Sequence, residues 1–270
     1  ERQLWFQSMN VEMNALWEKE CFELVEPEAA KGRQVIPLTW AFKYKSKPDG
    51  TYYKRKSRLC LRGDRMLEGL EEGTTASETS GFAPVVDWGT IRMLLTMTVN
   101  FNLYTTAIDF NAAFVQAEVP RPFYAPIPPF LDTFPAYQGK LLKIKRSLYG
   151  HRFAAKLWYE KLRDNMIKPR KDGGLGFTLS TNDHCLFLRD DAIFISWVDD
   201  AVIVHRDPKI SEQIINDLRR CGFSVDKEED DSGLASYLGV AIDKGKNGTL
   251  ILRQRGLIDR IVEATGMQNA

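Results

Sequence analysis

Histidine is scarce in these 270 residues, with only His151, His184 and His205, and cysteine is nearly as rare. Cys21, Cys60, Cys185 and Cys221 lie at least 36 residues apart and form no CxxC pair. A structural zinc centre takes about four ligands, usually supplied in close pairs. Zinc is therefore excluded, and the thiols read as free and mostly buried. No apolar run reaches the roughly 18 residues of a membrane helix, and no basic-then-apolar leader opens the chain. The most apolar late stretch, Ala192–Val204, is broken by two adjacent aspartates. These absences predict a soluble intracellular protein with no membrane partner. GxxxxGK[ST] is missing too, and Gly173-Gly-Leu-Gly176 is no dinucleotide fingerprint, which argues against the common nucleotide-binding folds.

What is present is a chain able to bury a core. It is 44 % apolar and 11 % aromatic, and its length suits one large domain or about two of ordinary size. The net charge of +1 hides a strong asymmetry. Residues 31–65 carry eleven Lys or Arg against two acids, and residues 140–171 carry the same numbers, so the remainder is acidic. Two concentrated basic segments suggest a polyanionic partner, although a solvated face would look the same.

Trp5, Ser8, Met9, Glu12 and Leu16 recur at helical spacing. Thr39–Tyr44, Thr51–Lys54 and Ser57–Leu61 alternate as strands, with Pro48-Asp49-Gly50 as turn chemistry in a basic hairpin region. Glu68–Ser80 reads as a loop. Helical patterns cover Thr90–Asn100, Ala154–Ile167, Ser211–Arg220 and Leu257–Thr265. Strand patterns cover Leu103–Ile108, Leu141–Ile144, Cys185–Leu188, Ile193–Val198, Ala201–His205, Tyr237–Asp243 and Thr249–Arg253. Six prolines between Val119 and Pro135 predict irregular connection there. Helices with hairpin-linked strands indicate an α+β fold.

The chemistry concentrates in Ile193-Phe-Ile-Ser-Trp-Val-Asp199-Asp200-Ala-Val-Ile-Val204. Strand-forming flanks present two carboxylates at a hairpin turn. Aspartate is a good turn residue in its own right. Adjacent carboxylates between buried strands repel, however, unless a cation neutralises them. Asp109 ends another strand-forming run; an ordinary helix N-cap explains it equally well in isolation. Were the two strands neighbours, three carboxylates would meet at one rim. Hard oxygen donors without histidine suit Mg²⁺, and a pair of such ions is the arrangement that catalyses nucleotidyl transfer.

Seven strings in order give this chain a resemblance to a family. They are Trp5-x2-Ser-Met-x2-Glu12-x3-Leu16; Trp40-Ala-Phe-Lys-Tyr-Lys45 with Lys56-Ser-Arg-Leu-Cys-Leu-Arg-Gly-Asp64; Phe82-Ala-Pro-Val-Val86 with Ile91-Arg92; Asp109-Phe-Asn-Ala-Ala-Phe114; Ser147-Leu-Tyr-Gly150 with Trp158-Tyr159; Trp197-Val-Asp-Asp200; and Tyr237-Leu-Gly-Val240. Together they resemble the reverse transcriptase of Ty1/copia-type LTR retrotransposons, in a fungal-like form. The resemblance implies a right-hand polymerase fold, with an antiparallel palm sheet backed by helices and β-rich fingers. It divides the chain into fingers (1–89), palm (90–117), fingers again (118–153), palm again (154–245) and the start of a thumb (246–270).

The implied activity is RNA-directed DNA synthesis from dNTPs on a primed RNA or DNA template. Asp109, Asp199 and Asp200 would bind two Mg²⁺ ions, or Mn²⁺ in their place, with the Phe110 carbonyl completing one shell. Phe114 would exclude the ribose 2′-hydroxyl, unless it is simply core. Arg58 would grip the triphosphate, a task its planar fork suits, with Lys43 or Lys45 beside it. Ala112, Ala113 and Tyr149 would line the nucleotide site. Lys227 would protonate the leaving pyrophosphate, or else pair with neighbouring acids. Gly150 and Arg152 would face the template or primer, though turn geometry also accounts for the glycine. Leu238 and Gly239 would belong to the primer grip. Implied partners are the RNase H and integrase parts of a retrotransposon polyprotein, or further copies in an oligomer. The implied location is a cytoplasmic particle or the nucleus.

The match departs from the family after Gly150, where His151-Arg-Phe-Ala-Ala-Lys-Leu-Trp158 puts Phe153 and Ala155 at the places of the usual Gln and Pro. Trp197 replaces the commoner tyrosine, and Glu78-Thr-Ser-Gly-Phe82 carries extra residues. The alternative is a catalytically silent or repurposed domain that only binds nucleic acid or protein.

Overall fold

The computed structural model describes residues 1–46, 51–66, 81–228, 241–244 and 249–267. The first elements in chain order are α1 (Arg2–Glu18), β1 (Phe22–Val25), β2 (Leu38–Ser46), β3 (Tyr52–Leu61), α2 (Trp88–Asn100) and β4 (Tyr104–Phe110). Next come α3 (Ala113–Gln116), β5 (Glu118–Pro126), β6 (Leu141–Arg146), α4 (Ala154–Ile167), β7 (Thr178–Leu179) and β8 (Leu186–Arg189). The last are β9 (Ala192–Trp197), β10 (Asp200–His205), α5 (Pro208–Arg220), β11 (Val225–Lys227), β12 (Ala241–Lys244), β13 (Leu250–Arg253) and α6 (Arg255–Thr265). All assigned strand pairs within the sheets are antiparallel, so the α+β expectation holds. Among the described residues no helix is long and apolar enough to cross a membrane.

The chain divides into two compact units. The first comprises Glu1–Ala83 and Ala112–Lys161. Its sheet runs β1-β6-β5, beside the separate β2–β3 hairpin. Leu16, Phe22, Leu59, Leu142, Ile144 and Leu148 close its core. α1 follows the helical spacing and buries Met9, Met13 and Leu16. It docks on β3 through polar bonds as well: Ser8 Oγ donates to the Arg55 carbonyl and accepts from the Ser57 N–H. Glu12 accepts from the Leu59 N–H. Thr51–Lys54 and Ser57–Leu61 prove to belong largely to one strand, β3. The turn Pro48-Asp49-Gly50 and the loop Glu68–Ser80 lie outside the described residues.

The proline-rich stretch corrects an expectation. Glu118–Pro126 is not irregular but forms strand β5, paired with β6 and interrupted by an irregularity between Glu118 and Phe123. Pro120 and Pro122 fall in that irregularity, and β5 lies at the sheet edge. A missing N–H is tolerated at both kinds of place.

The second unit comprises Pro84–Asn111 and Leu162–Ala270. Its main sheet has six strands in the order β11-β4-β10-β9-β8-β7. α2 packs Ile91, Leu94 and Leu95 in one cluster with Ala107, Ile195, Val202 and Val204. Asp87 caps α2 by accepting from the Gly89 N–H. The Asp183 carboxylate holds that cap, accepting from the N–H groups of Asp87 (3.0 Å) and Cys185 (2.9 Å). Strands β1, β7 and β11 were not legible as alternation because each is only two to four residues long. All four cysteines are free; Cys21 and Cys185 are buried, and Cys60 and Cys221 are half-buried.

Candidate active site

In the second unit, β9 and β10 are rich in β-branched and aromatic residues that favour a half-buried pleated surface. They are joined by Val198 and Asp199 alone. Trp197 and Asp200 close the hairpin as cross-strand partners. So short a connection needs a positive φ, and Val198 supplies it at 53°. A β-branched residue there is a conformational outlier, and strain of this kind is held by surrounding structure. Part of that hold is the Phe110 N–H, which donates to the Asp199 carbonyl at 2.7 Å.

The ladder between β10 and β4 places Asp200 directly opposite Asp109. Directly opposed residues leave a sheet on the same face. On the other side of β4, Asp226 of β11 also stands opposite Asp109. Three carboxylates therefore share one face on three adjacent strands, with Asp199 exposed at the turn. Asp109 is anchored by its neighbours: Ile108 is 0 % and Phe110 1 % exposed on the opposite face. Phe110 also meets Phe223 edge-on at 5.7 Å.

This crowding is expressed in the Asp200 carboxyl, whose pKa is pushed up to about 6 by burial and then by the charges of Asp199, Asp109 and Glu228. The rise corresponds to about 3 kcal/mol before screening and about 1 kcal/mol for a half-exposed group. Burying Ile108 and Phe110 contributes about 3–6 kcal/mol, so the fold sustains the repulsion. Hard oxygen donors crowded with like charge fit a hard divalent cation. Among the described residues, no three Asp, Glu, His or Cys side chains close into a ready-made cage. Asp109 and Asp200 are cross-strand neighbours, and Asp199 stands at the exposed turn beside them.

In the first unit, the β2–β3 register sorts the hairpin into two faces. Trp40 opposite Leu59, Phe42 opposite Ser57 and Tyr44 opposite Arg55 share the α1 face. The other face has Ala41 opposite Arg58, Lys43 opposite Lys56 and Lys45 opposite Lys54. Five cations thus form a ladder with two like-charged rungs, which destabilises a sheet unless something else requires it. The Lys56 ammonium is held below its ordinary pKa by burial and by Arg58.

Arg58 lies over the Tyr149 ring at 4.9 Å, and Phe114 meets the same ring edge-on at 5.6 Å. The Arg58 Nε is buried without a hydrogen-bond acceptor. Tyr149 is fixed by its backbone, since the Leu61 N–H donates to its carbonyl at 2.7 Å. Gly150 has φ +82°, and a Cβ there would run into the Leu61 carbonyl. Close packing is thus sufficient reason for that glycine. The departures after Gly150 pack together: His151 stacks on Phe123 at 5.5 Å and meets Phe153 edge-on at 5.9 Å.

The sequence-predicted residues thus fall into separate groups. Asp109, Phe110, Asp199 and Asp200 adjoin one another in the second unit. Arg58, Phe114 and Tyr149 form a contact cluster in the first, where Lys43 lies on the same hairpin face as Arg58 and Arg152 reaches the Met66 carbonyl. Ala112 has φ 52° and Ala113 is buried beneath the same turn. Lys227 is not brought to the carboxylates. It stands opposite Ile108, so its side chain leaves β11 on the other face. Leu238 and Gly239 lie outside the described residues. Sequence reading missed Asp226, Glu228 and Asn111, because β11 is only three residues long and lies in a run of charged residues.

The family model described as reverse transcriptase (RNA-dependent DNA polymerase) matches residues 19–270. The chain is 27 % identical, over 94 % of its length, to the retrovirus-related Pol polyprotein from transposon RE1 of Arabidopsis thaliana. It is 26 % identical, over 100 % of its length, to the Pol polyprotein from transposon TNT 1-94 of Nicotiana tabacum. It is 24 % identical, over 82 % of its length, to the transposon Ty1-LR2 Gag-Pol polyprotein of Saccharomyces cerevisiae. It spans only 16 %, 19 % and 12 % of those polyproteins. A solved telomerase from Candida albicans aligns over 96 % of this chain and 53 % of its own, at 11 % identity and a TM-score of 0.41.

Proposed function

Since the chain belongs to the reverse transcriptase (RNA-dependent DNA polymerase) family, we propose that it extends a primer on an RNA or DNA template as one segment of a Pol-type polyprotein. The primer 3′-hydroxyl gives up its proton to solvent as its oxygen forms a bond to the α-phosphorus of a dNTP, the bond from that phosphorus to the β-phosphate bridging oxygen breaks, and pyrophosphate leaves. The observation that carries this reading is the pairing of Asp200 with Asp109 on one sheet face, with Asp199 at the adjoining turn.

Asp109, Asp199 and Asp200, with the Phe110 carbonyl, are the residues to hold two Mg²⁺ ions; the all-oxygen donor set and the raised Asp200 pKa support this. Cations bound there supply Lewis acidity to the phosphate oxygens. Phe114, half-buried against Tyr149, selects deoxyribose by filling the place of a 2′-hydroxyl. Arg58 offers its unmatched Nε to a triphosphate, with Lys43 and its neighbouring rungs as further phosphate partners. Ala112 and Ala113 line the place of the nucleotide, and Gly150 and Arg152 face the template or primer. Residues 1–89 and 118–153 serve as fingers, 90–117 and 154–245 as palm, and 246–270 as the start of a thumb. Lys227 is given no part in protonating pyrophosphate.

The test is primer extension on poly(rA)/oligo(dT) with dTTP and Mg²⁺ or Mn²⁺, beside an Asp199→Asn/Asp200→Asn chain. Metal-dependent extension lost in the variant is the expected result. Silence of the parent, both alone and joined to the polyprotein segment that follows it, would leave a module that only binds.

A further inference from the structure

β11 is three residues long and lies at the edge of its sheet, yet it carries Asp226 to a position directly opposite Asp109. Two acids opposed across a ladder repel, and a strand with so few ladder bonds has little to spare against that repulsion. The contacts around it are accordingly specific. Asn111 Nδ2 donates to Asp226 Oδ2 at 2.7 Å. The Asn111 N–H donates to the Ser224 carbonyl at 3.0 Å. Arg219 donates to the Val225 carbonyl from both Nε (3.2 Å) and Nη2 (3.0 Å), and lies 3.8 Å from Asp226 Oδ1. The Arg219–Asp226 pair is long and exposed and so worth little. The Asn111–Asp226 bond is short, and it ties the residue two places after Asp109 to the residue facing Asp109.

We propose that Asn111 and Asp226 are positioning residues for Asp109. Their hydrogen bond holds the end of β4 against β11, so that the Phe110 N–H stays on the Asp199 carbonyl and the Asp109 carboxylate stays on the face it shares with Asp200. The inference rests on the reading of Asp109 as a cation ligand for its consequence, but not for its geometry. In this role Asp226 serves as a hydrogen-bond acceptor and not as a charge. An asparagine there, whose Oδ1 also accepts from Asn111, would serve as well and would relieve the repulsion.

The experiment compares the full chain with Asn111→Ala, Asp226→Ala and Asp226→Asn, by two readouts taken without nucleotide. The first is amide hydrogen exchange at Phe110. The second is Mn²⁺ binding followed by electron paramagnetic resonance. Asn111→Ala and Asp226→Ala should each speed Phe110 exchange about tenfold, the scale of one lost hydrogen bond. They should weaken Mn²⁺ binding about 10–100-fold, as loss of a group orienting a ligand does. Asp226→Asn should remain near the parent in both. Unchanged Phe110 exchange in Asn111→Ala would overturn the proposal, and so would an Asp226→Asn chain that falls with Asp226→Ala. A parent that takes up no Mn²⁺ would sink the cation-site reading, while the exchange data would still decide the tether.

Discussion

Asp109 and Asp200 are direct partners across β4 and β10, and the pairing puts their carboxylates on one face of the sheet. Neither is carried by a loop. Both sit on strands locked by buried neighbours, Ile108 and Phe110 on one strand and Ala201 to Val204 on the other. A rigid base of this kind can keep two like charges side by side, and it makes the site sensitive to single changes.

Asp200→Asn is expected to abolish primer extension and to stabilise the metal-free protein. The folded Asp200 carboxyl keeps its proton up to about pH 6, whereas an unfolded aspartate releases it near pH ~4. Metal-free parent therefore loses stability as pH rises across that interval. The variant should not, and at pH 7 should gain about 1 kcal/mol, or about 2–4 °C in melting temperature. Thermal denaturation in chelator at pH 4 and pH 7 checks this; a variant that melts lower at pH 7 would refute the crowding. Asp199→Asn, at an exposed turn, should lose extension with stability changed by less than about 0.5 kcal/mol.

Phe114→Ala is expected to admit ribonucleotides. Its ring is half-buried and rests edge-on against Tyr149, so some loss of stability accompanies the change, below the roughly 3–5 kcal/mol of a fully buried phenylalanine. Competitive incorporation of UTP against dTTP measures the selectivity. Unchanged discrimination with reduced stability would return Phe114 to the core.

Lys45→Gln, on the rung opposite Lys54, should move stability and binding in opposite directions. Removing one of two opposed like charges stabilises the hairpin by about 0.2–1 kcal/mol. Removing a phosphate contact weakens primer–template binding and lowers the log-salt slope by about 1. Filter binding across a salt series, with a melting curve of the same variant, reads both. A slope equal to that of the parent would take the ladder out of the nucleic-acid interface.

His151 predicts the acid side of the stability curve. Burial against Phe123 and Phe153 pulls its pKa down to about 4, and the Phe153 N–H donates to its Nδ1, a bond only the unprotonated nitrogen accepts. The folded state refuses a proton that the unfolded chain takes below about pH 6.5. Stability is therefore whole above that pH and is lost as pH falls toward 4, by at most about 3 kcal/mol. His151→Phe should flatten this part of the curve in urea titrations between pH 4 and 7. An unaltered slope would mean the imidazole is not held neutral.

Local patterns in the chain were enough for α1, α4, the β9–β10 hairpin and the bare pair Asp199-Asp200, because each is written in contiguous residues with a clear period. Val119–Pro135 misled for an equally local reason. Proline density argues against a strand, but it cannot reveal that the strand is an edge with an irregularity at the prolines themselves. Asp109 was legible as a strand-ending acid; its use was not, since a helix cap and a cation ligand look alike before the neighbouring strand is known.

Sequence by itself determined which residues alternate along each strand, and with that the acid pair at the turn and the lysines at every second place in β2 and β3. Tertiary structure alone decided which strands meet and in what register. That register set Asp200 and Asp226 on either side of Asp109, turned Lys227 to the opposite face, and stacked Lys43 on Lys56 and Lys45 on Lys54. The physical reason lies in the period of two. It gives each strand two faces but not a partner, and a shift of one residue exchanges every side chain between them.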